Sequence, residues 1–233
     1  MVALSASQVN RAGKVLRDWY SDAGRPVMGP AERAALDVLV EFRGTHATPL
    51  LKANNGLRSM LRTEGCPVEV SQRLKRMSTI IDKLTREPTM ALSRMQDIGG
   101  CRAIVNTLDQ LRRVERRLAK NRPPERVDDY VAHPRSSGYR AVHLIIQYDG
   151  RRIEVQLRTM VMHEWAVAVE RLGGQLGQDL KSGRGPLPVL DWLEAISEAL
   201  AIEEQGGIVD GMLIARLAQL RLGASPYLSG GSR

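Results

Sequence analysis

The chain has 233 residues, of which 43% are hydrophobic and only 4% aromatic, so it can form one large domain or two small ones with an aliphatic core. A formal net charge of +8 favours polyanionic partners, such as nucleic acid or nucleotide phosphates. Two cysteines exclude a disulfide framework, and charges within the first 20 residues exclude a signal peptide or a membrane span there, so we expect a cytoplasmic protein with no membrane attachment.

The N-terminal part, residues 1–65, is predicted to be helical. Apolar residues at helical spacing predict a first helix over 5–22 that ends at Gly24. Gly29-Pro30 opens a second helix, because proline is tolerated at the first helical position, and a third is expected over 47–62. We expect these helices to pack rather than carry chemistry. Their basic residues nevertheless offer a docking surface: Arg11, Lys14, Arg17, Lys52, Arg58 and Arg62.

The next unit starts at residue 66, and its apolar residues between 70 and 84 are spaced as on one helix. Thr79 with Asp82 resembles a capping box, which indicates a break in that helix near Met77–Thr79. A break there would free Arg73 and Lys75 to turn toward a ligand.

Asp97 then precedes a predicted strand, IGGCRAIVN, whose two glycines suggest the close approach of another backbone or of a ligand. A strongly basic helix is predicted over 108–120 and a short strand over 126–131. Residues 133–138 are expected to form a loop that leads into a β-hairpin.

Asp149-Gly150 between two alternating runs is the hairpin signal, because both central residues of its turn need a positive φ. One face of the hairpin is mostly apolar and can cover a core: Val142, Leu144, Ile146, Arg151, Ile153, Val155 and Leu157. The other face carries Tyr139, Ala141, His143, Ile145, Gln147, Arg152, Glu154, Gln156 and Arg158. Such a face usually meets solvent. Here, however, Glu154 between Arg152 and Arg158 offers a carboxylate ringed by cationic donors, which suits a metal–phosphate site.

A helix is predicted over 160–172, followed by loops at Gly173-Gly174 and 181–186, helices over 188–204 and 208–221, and a frayed tail from Ala224. The fold class is therefore α+β in one domain, with a helical part (1–65), a mixed centre (66–172) and C-terminal helices with a tail (173–233).

Two carboxylates fall on predicted neighbouring strands, Asp97 at the edge of one and Glu154 inside the other. Together they can hold Mg²⁺, whose preference for oxygen ligands suits a polyphosphate substrate. Two carboxylates alone are a weak signal, which the surrounding cations strengthen: Arg73, Lys75, Lys83, Arg102, Arg135 and Arg158 could all reach one polyphosphate.

Five motifs in fixed order, RLKRMSTIIDK, DIGGCR, DDYVAHPRSSGYRAVH, EVQLRT and MHEWA, resemble the pyrophosphokinase domain of the RelA/SpoT family, the synthetase of the alarmones ppGpp and pppGpp. The match covers about residues 70–172 and lacks a His-Asp hydrolase segment upstream, so the chain looks like a small, single-domain member. The resemblance implies a mixed nucleotidyltransferase-type sheet flanked by helices, and transfer of the β,γ-pyrophosphate of ATP to a ribose 3′-hydroxyl.

The resemblance also implies roles for the donor side of the site. Arg73 and Arg102 would sandwich the adenine of ATP. Lys75 and Lys83 would hold its phosphates. Asp97 would bind Mg²⁺, and Glu154 would share that ion and help take the proton from the attacking hydroxyl.

On the acceptor side, the resemblance implies that Arg135 and Tyr139 belong to a loop that grips the acceptor, with Tyr139 stacking on its base. His143, Gln156 and His163 would line the same side. The loop commonly reads Pro-Lys-x-Asn-Gly-Tyr in the family, whereas this chain has Pro134-Arg135-Ser136-Ser137-Gly138-Tyr139. The arginine keeps the charge but changes its geometry, and the serine is shorter than asparagine.

Three functions remain open from the sequence. The sequence, especially from Leu74 to Val105 and in the helical N-terminal part, resembles the toxic small alarmone synthetases more closely. Several of these enzymes modify the 3′-terminal adenosine of tRNA and are paired with an antitoxin protein. The basic balance and helix 108–120 are compatible with tRNA backbone binding. The alternative is a synthetase that acts on GDP or GTP, and the third hypothesis is a catalytically silent nucleotide-binding module. A homo-oligomer is compatible with each of them.

Overall fold

The computed structural model describes residues 4–22, 24 and 27–228. Three helices come first, α1 (Ala6–Ser21), α2 (Pro30–Gly44) and α3 (Ala47–Thr63). They match the predicted boundaries closely. Ser5 caps α1 through a capping box with Gln8. Pro30 begins α2, as predicted.

The centre contains β1 (Glu69–Leu74), α4 (Met77–Arg86), β2 (Gly99–Val105), α5 (Leu108–Asn121), β3 (Arg126–Asp129), β4 (Val142–Tyr148) and β5 (Arg151–Thr159). The chain ends with α6 (Met160–Leu176), α7 (Leu187–Glu204) and α8 (Gly211–Leu228). Single turns of 3₁₀ helix lie at Leu92–Arg94 and Leu180–Ser182.

The five strands form one mixed sheet in the order β1-β2-β5-β4-β3. Strands β2 and β5 are parallel, and every other neighbouring pair is antiparallel. The hairpin β4–β5 turns at Asp149 (φ 49°) and Gly150 (φ 74°), as the sequence predicted. This mixed sheet with flanking helices confirms the predicted fold class.

One face of the sheet carries the main core. The apolar hairpin residues, among them Leu144 and Val155, pack there with Leu57 of α3 and Leu111 of α5. The other face is polar and points toward α6 and the segment that follows it. The alternation read from the sequence therefore places the candidate site on the side that α3 and α5 leave uncovered.

The stretch 69–74 is a strand, so the prediction of a helix from residue 70 was wrong. Pairing with β2, for instance Val70 opposite Ala103, satisfies its backbone. The helix α4 begins at Met77, after Arg76 at its N-cap, so a helix boundary does lie where the break was predicted, but the capping box at Thr79 does not form. Helical spacing of apolar residues was here a coincidence that a non-local pairing overrode.

Two C-terminal boundaries also differ from the prediction. Gly173 and Gly174 lie inside α6, which ends at a left-handed Gly177 (φ 63°). A Cβ at Gly173 would lie 2.6 Å from the Gln178 carbonyl oxygen, so this glycine serves close packing rather than a loop. The helix α8 continues to Leu228, so the first part of the predicted frayed tail is helical, and 229–233 fall outside the described residues.

Candidate active site

A cavity of about 630 Å³ opens between the polar face of the sheet and the segment after α6. A second cavity of about 240 Å³ adjoins it over β1 and β2. The two share the side chains of Arg73, Lys75, Asp97, Glu154, Gln156, Glu170 and Lys181. Ten of the eleven predicted site residues line at least one of the two cavities, and five of them border both.

Asp97 lies two residues before β2, at the edge of the sheet. Its carboxylate accepts hydrogen bonds from Lys75 Nζ (2.5 Å to Oδ2) and Lys83 Nζ (3.1 Å to Oδ1). Lys75 is itself fixed by its backbone N–H, which donates to the Ile98 carbonyl at 2.8 Å. A Cβ at Gly99 would lie 2.8 Å from Ile153 Cδ1, so the glycine after Ile98 lets the edge of β2 approach β5.

Glu154 lies opposite Gly100 in the parallel pairing of β5 with β2. Its Oε1 lies 3.0 Å from His143 Nδ1, and its Oε2 accepts a 2.7 Å hydrogen bond from Gln156 Nε2. Burial alone raises the pKa of Glu154, but hydrogen bonds and charge from His143, with Gln156 and Lys75, outweigh it and bring the pKa to about 2. The carboxylate is therefore ionised at neutral pH.

The predicted ring of arginines around Glu154 was wrong. Arg152 Nε instead donates to Glu125 Oε2 at 2.6 Å, away from the cavity. Arg158 Nη2 donates to the Tyr139 hydroxyl at 2.8 Å and to Gln156 Oε1 at 3.2 Å. Hence His143 and Gln156 hold the carboxylate of Glu154. Arg158 does not contact it directly but binds Gln156 and the hydroxyl of Tyr139.

The two carboxylates can be tested as a magnesium site. Among the described residues, no group of three or more His, Cys, Asp or Glu side chains is arranged to hold a metal ion. Mg²⁺ in nucleotide sites needs only one or two carboxylates, since substrate phosphates and water supply the other oxygens. Asp97 and Glu154 border both cavities, and both are partly accessible, at 22% and 19% of the side chain. The donor set fits Mg²⁺ together with a polyphosphate.

Arg73 and Arg102 lie on the same face of neighbouring strands. The antiparallel register sets Arg73 opposite Gly100 and Ser71 opposite Arg102, so the two arginines are diagonal neighbours beside the smaller cavity. Burial and the charge of Arg158 lower the pKa of Arg102. Its Nε is buried without a hydrogen-bond partner, so this guanidinium has unused donor capacity.

Tyr139 is completely buried, which the sequence did not indicate. Its hydroxyl lies 2.7 Å from His143 Nε2 and accepts the hydrogen bond from Arg158. Lys181 Nζ lies 4.9 Å and the Arg135 guanidinium 5.5 Å from the centre of the ring. The Arg158 guanidinium lies 5.2 Å from the same centre, so a base can stack on this ring only if one of these cations moves aside.

Arg135 lies between two tyrosines. Its guanidinium is 4.4 Å above the ring of Tyr130, and its Nη2 donates to the hydroxyl of that tyrosine at 2.8 Å. Tyr130 lines the larger cavity and was not among the predicted residues. Its place immediately after β3, in the DDY run, was the available signal.

The loop that carries Arg135 and Tyr139 is fixed from the C-terminal side. Ser137 is buried, and its hydroxyl donates to the Lys181 carbonyl at 2.9 Å. Gly138 has φ 82°, and its carbonyl accepts a 2.5 Å hydrogen bond from Ser197 of α7. Ser137 therefore fastens the loop, at the position where the motif usually has an asparagine.

His163 does not lie where it was predicted. It lines neither cavity, and its Nδ1 lies 3.2 Å from Arg102 Nη1. It thus supports the arginine expected on the adenine side rather than the acceptor side. It lies one helical turn after the start of α6, and that turn faces β2 rather than the acceptor loop.

Lys181 and Glu170 were missed by the sequence reasoning. Lys181 Nζ donates to Glu170 Oε1 at 2.7 Å, and burial with the charge of Arg158 lowers the pKa of the lysine. Both residues border both cavities. The sequence around Lys181 is rich in glycine and serine and looks like an ordinary loop, so only the folded chain reveals it as part of the site.

The sequence of the chain matches known proteins over the region that contains most of the site. Residues 72–171 match the family model described as a region found in RelA / SpoT proteins. GTP pyrophosphokinase YjbM of Bacillus subtilis is 31% identical over 159 residues, which cover 62% of this chain and 73% of that protein.

Two solved structures share the fold. The small alarmone synthetase 1 of Bacillus subtilis bound to its product pppGpp is 22% identical, with a TM-score of 0.60 and coverage of 80% of this chain and 98% of that one. A GTP pyrophosphokinase family protein from Streptococcus pneumoniae is 25% identical, with a TM-score of 0.55 and coverage of 82% and 98%. No helix in the described part of the chain is long and apolar enough to cross a membrane.

Proposed function

Because the chain belongs to the RelA/SpoT family of pyrophosphokinases, we propose that it moves the β,γ-pyrophosphate of ATP to a ribose 3′-hydroxyl at the 3′ end of tRNA. The observation that best supports this reaction is the junction of the two cavities. Asp97 and Glu154 border it together with Lys75 and Arg73, so carboxylates for a metal ion and cations for a polyphosphate converge.

On the donor side, the smaller cavity suits the adenine of ATP. Arg73 and Arg102 lie diagonally on one sheet face, where their planar guanidinium groups can flank a base. Lys75 and Lys83 now bind Asp97, and they are free to exchange that carboxylate for phosphate oxygens when ATP arrives.

Asp97 and Glu154 would hold Mg²⁺, which supplies charge neutralisation on the transferred pyrophosphate. The other contributions come from side chains of this chain. Glu154 is held in one orientation by His143 and Gln156, so its oxygens are positioned before substrate binds. As an ionised group it can receive the proton that leaves the acceptor hydroxyl during in-line transfer.

The acceptor loop supports a tRNA acceptor. Its variant serine, Ser137, is turned inward to Lys181 and offers no amide to a guanine base. Arg135 and Tyr130 offer a stacked pair at the cavity, a sequence-tolerant way to hold a single-stranded end. The net charge of +8 favours a polyanionic acceptor. A translation-blocking toxin with this activity would need a neutralising antitoxin partner in the cytoplasm of its own cell.

The helix α5 gives the tRNA hypothesis less support than its sequence suggested. Arg112 pairs with Glu115 and Asp129, while Arg113 and Arg117 pair with Glu64. These arginines are already neutralised by neighbouring carboxylates. The polyanion surface must therefore come mainly from elsewhere.

A guanosine nucleotide, GDP or GTP, is the second candidate acceptor. It is favoured by the GTP pyrophosphokinase of Bacillus subtilis, whose name states this activity for that protein. A silent binding module is a poorer account, because both carboxylates are present and partly accessible at the junction.

The three functions can be distinguished by which acceptor molecule receives labelled phosphate from ATP. We would incubate the protein and Mg²⁺ with ATP labelled in its γ-phosphate, together with bulk tRNA, GDP or GTP. Label on tRNA is expected, and its rate should fall steeply with salt because tRNA binding releases counterions. Label on guanosine nucleotides alone would replace the tRNA hypothesis, and bound ATP with no transfer would favour the silent module.

A further inference from the structure

A third cavity, of about 530 Å³, lies beside the active site and has no role in the donor or acceptor contacts described above. Its wall combines the start of α1, Phe42 of α2, the 3₁₀ turn at Leu92–Arg94 and the first residues of β5. The lining residues are Leu4, Ala6, Val9, Phe42, Ser93, Arg94, Gln96, Arg151 and Arg152. We call this the arginine cavity.

The charge of the arginine cavity is one-sided. Three of its nine lining residues are arginines, and none is acidic. Arg152 is neutralised by Glu125, but the described chain shows no carboxylate within salt-bridge distance of Arg94 or Arg151. Cationic side chains on a cavity wall without carboxylates attract anions, and two guanidinium groups suit phosphate oxygens.

The apolar part of the wall suits a base rather than an isolated phosphate. The Arg151 guanidinium lies 5.5 Å from the centre of the Phe42 ring. An aromatic ring beside an arginine is the combination on which nucleic-acid bases stack. Phe42 is only 4% exposed, so a base would lie mainly against the Arg151 guanidinium.

The position of the arginine cavity relates it to the active site. Gln96 lines both this cavity and the 630 Å³ cavity, and the next residue is Asp97. A strand of nucleic acid whose 3′ end reaches Asp97 and Glu154 can thus continue past Gln96 into the arginine cavity. A mononucleotide acceptor would leave this space empty.

From these observations we infer that the arginine cavity binds the phosphodiester backbone and a base of a polynucleotide acceptor, upstream of its reacting 3′ end. Arg94 and Arg151 would each neutralise one phosphate. This inference rests on the proposed tRNA acceptor and goes beyond it, because it assigns a second contact region, outside the two cavities of the active site.

The test compares Arg94→Gln, and the double variant with Arg151→Gln, with wild type and with Arg221→Gln as a control. Arg94 and Arg221 are both exposed, and Arg221 lies on α8, so the control removes the same charge elsewhere. Thermal melting would check that each variant is folded. Pyrophosphorylation of tRNA, tRNA binding over a salt series and ATP binding would then be measured.

We expect kcat/KM for tRNA to fall about tenfold or more in the double variant, with the salt slope of tRNA binding reduced by about 1 to 1.5, because two phosphate contacts are lost. ATP binding and the control should match wild type. Equal rates on tRNA for all four proteins would overturn the inference while leaving the tRNA acceptor intact.

Two other outcomes separate the inference from the proposed function. If wild type labels GDP and neither labels nor binds tRNA, the acceptor proposal fails and the polynucleotide contact fails with it. If GTP competes with tRNA in wild type but no longer binds once Arg94 is replaced, the cavity is a free-nucleotide site, and the inference is overturned in favour of that ligand.

Discussion

At the scale of single residues, a chain of polar contacts fixes the orientation of Glu154. The Tyr139 hydroxyl lies beside His143 Nε2, and His143 Nδ1 lies beside Glu154. Strand alternation was enough to put these three on one face from sequence. It could not reveal that the tyrosine is buried, because Arg135, which covers it, comes from a loop and Lys181 from a 3₁₀ turn much later in the chain.

Replacing Glu154 by Gln should abolish turnover while leaving the fold and ATP binding intact. The amide keeps the shape but removes the charge on which metal binding and proton transfer depend. This should raise the activation free energy by several kcal/mol. Single-turnover transfer from labelled ATP would measure it, and Glu164→Gln, on the outer side of α6, is the control. A rate close to wild type would remove Glu154 from its assigned role.

Tyr139 can be tested by comparing Tyr139→Phe with Tyr139→Ala. Phenylalanine keeps the ring but leaves His143 and Arg158 without their shared partner, which should cost about 1–3 kcal/mol of stability with acceptor KM preserved. Alanine also removes the ring, so acceptor binding should weaken more than ATP binding. If both variants affected the two substrates equally, stacking at Tyr139 would be refuted.

At the scale of elements, α7 holds the acceptor loop. Arg140 Nη2 donates to Glu204 Oε2 at 2.7 Å, and both side chains are 5% exposed. Thr159 hydrogen-bonds the other oxygen of Glu204, so one carboxylate joins the loop, the end of β5 and the last turn of α7. The sequence predicted α7 itself within one residue, but not its contact partner, because that contact links positions 64 residues apart.

Gly138→Ala tests how closely the acceptor loop packs on α7, and Gly150→Ala is its control. Both glycines have positive φ, which costs another residue about 1–2 kcal/mol. Only at Gly138 would the new Cβ also collide, at 2.7 Å from Ser197 Cβ and 3.0 Å from Glu194 Cα. Urea unfolding should therefore show a clearly larger loss for Gly138→Ala, with a raised acceptor KM. Equal losses in the free energy of unfolding would mean that α7 shifts to accept the new Cβ at little cost.

The elements whose type was mispredicted have a common cause. The strand β1 had helical apolar spacing, yet its pairing with β2 determined its conformation. The glycines in α6 were predicted to form a loop, but they lie inside the helix. Gly173 is needed there because the backbone at Gln178 packs directly against it. Local patterns predict the elements that bury one regular face, and they fail where a distant segment supplies the partner.

At the scale of the whole molecule, the core of the described residues also contains a few buried polar groups, and His46 is one of them. His46, which is 2% exposed, lies between the N-terminal helices and the sheet, with its Nδ1 3.0 Å from the Phe42 carbonyl. Burial lowers its pKa to about 4, against an opposing contribution from that hydrogen bond. The folded protein thus disfavours the protonated imidazole.

Stability should therefore fall in mild acid through His46. The unfolded state takes up the proton near pH 6.5 and the folded state only near pH 4, so the free energy of unfolding is lost as pH falls through that window. Between pH 7 and pH 5 the loss from this group is about 2 kcal/mol. Urea unfolding of wild type and His46→Gln would show it as a steeper pH dependence in wild type. Parallel curves would contradict it.

The fastening of the acceptor loop by Ser197 and Glu204 has a wider consequence. The region that matches the family model, residues 72–171, contains the residues proposed to bind ATP, whereas Ser197 and Glu204, which hold the acceptor loop, lie beyond it. Substrate preference can then diverge through the C-terminal helices while the machinery for ATP stays unchanged. Chimaeras that exchange this tail between relatives should exchange the molecule that receives the pyrophosphate.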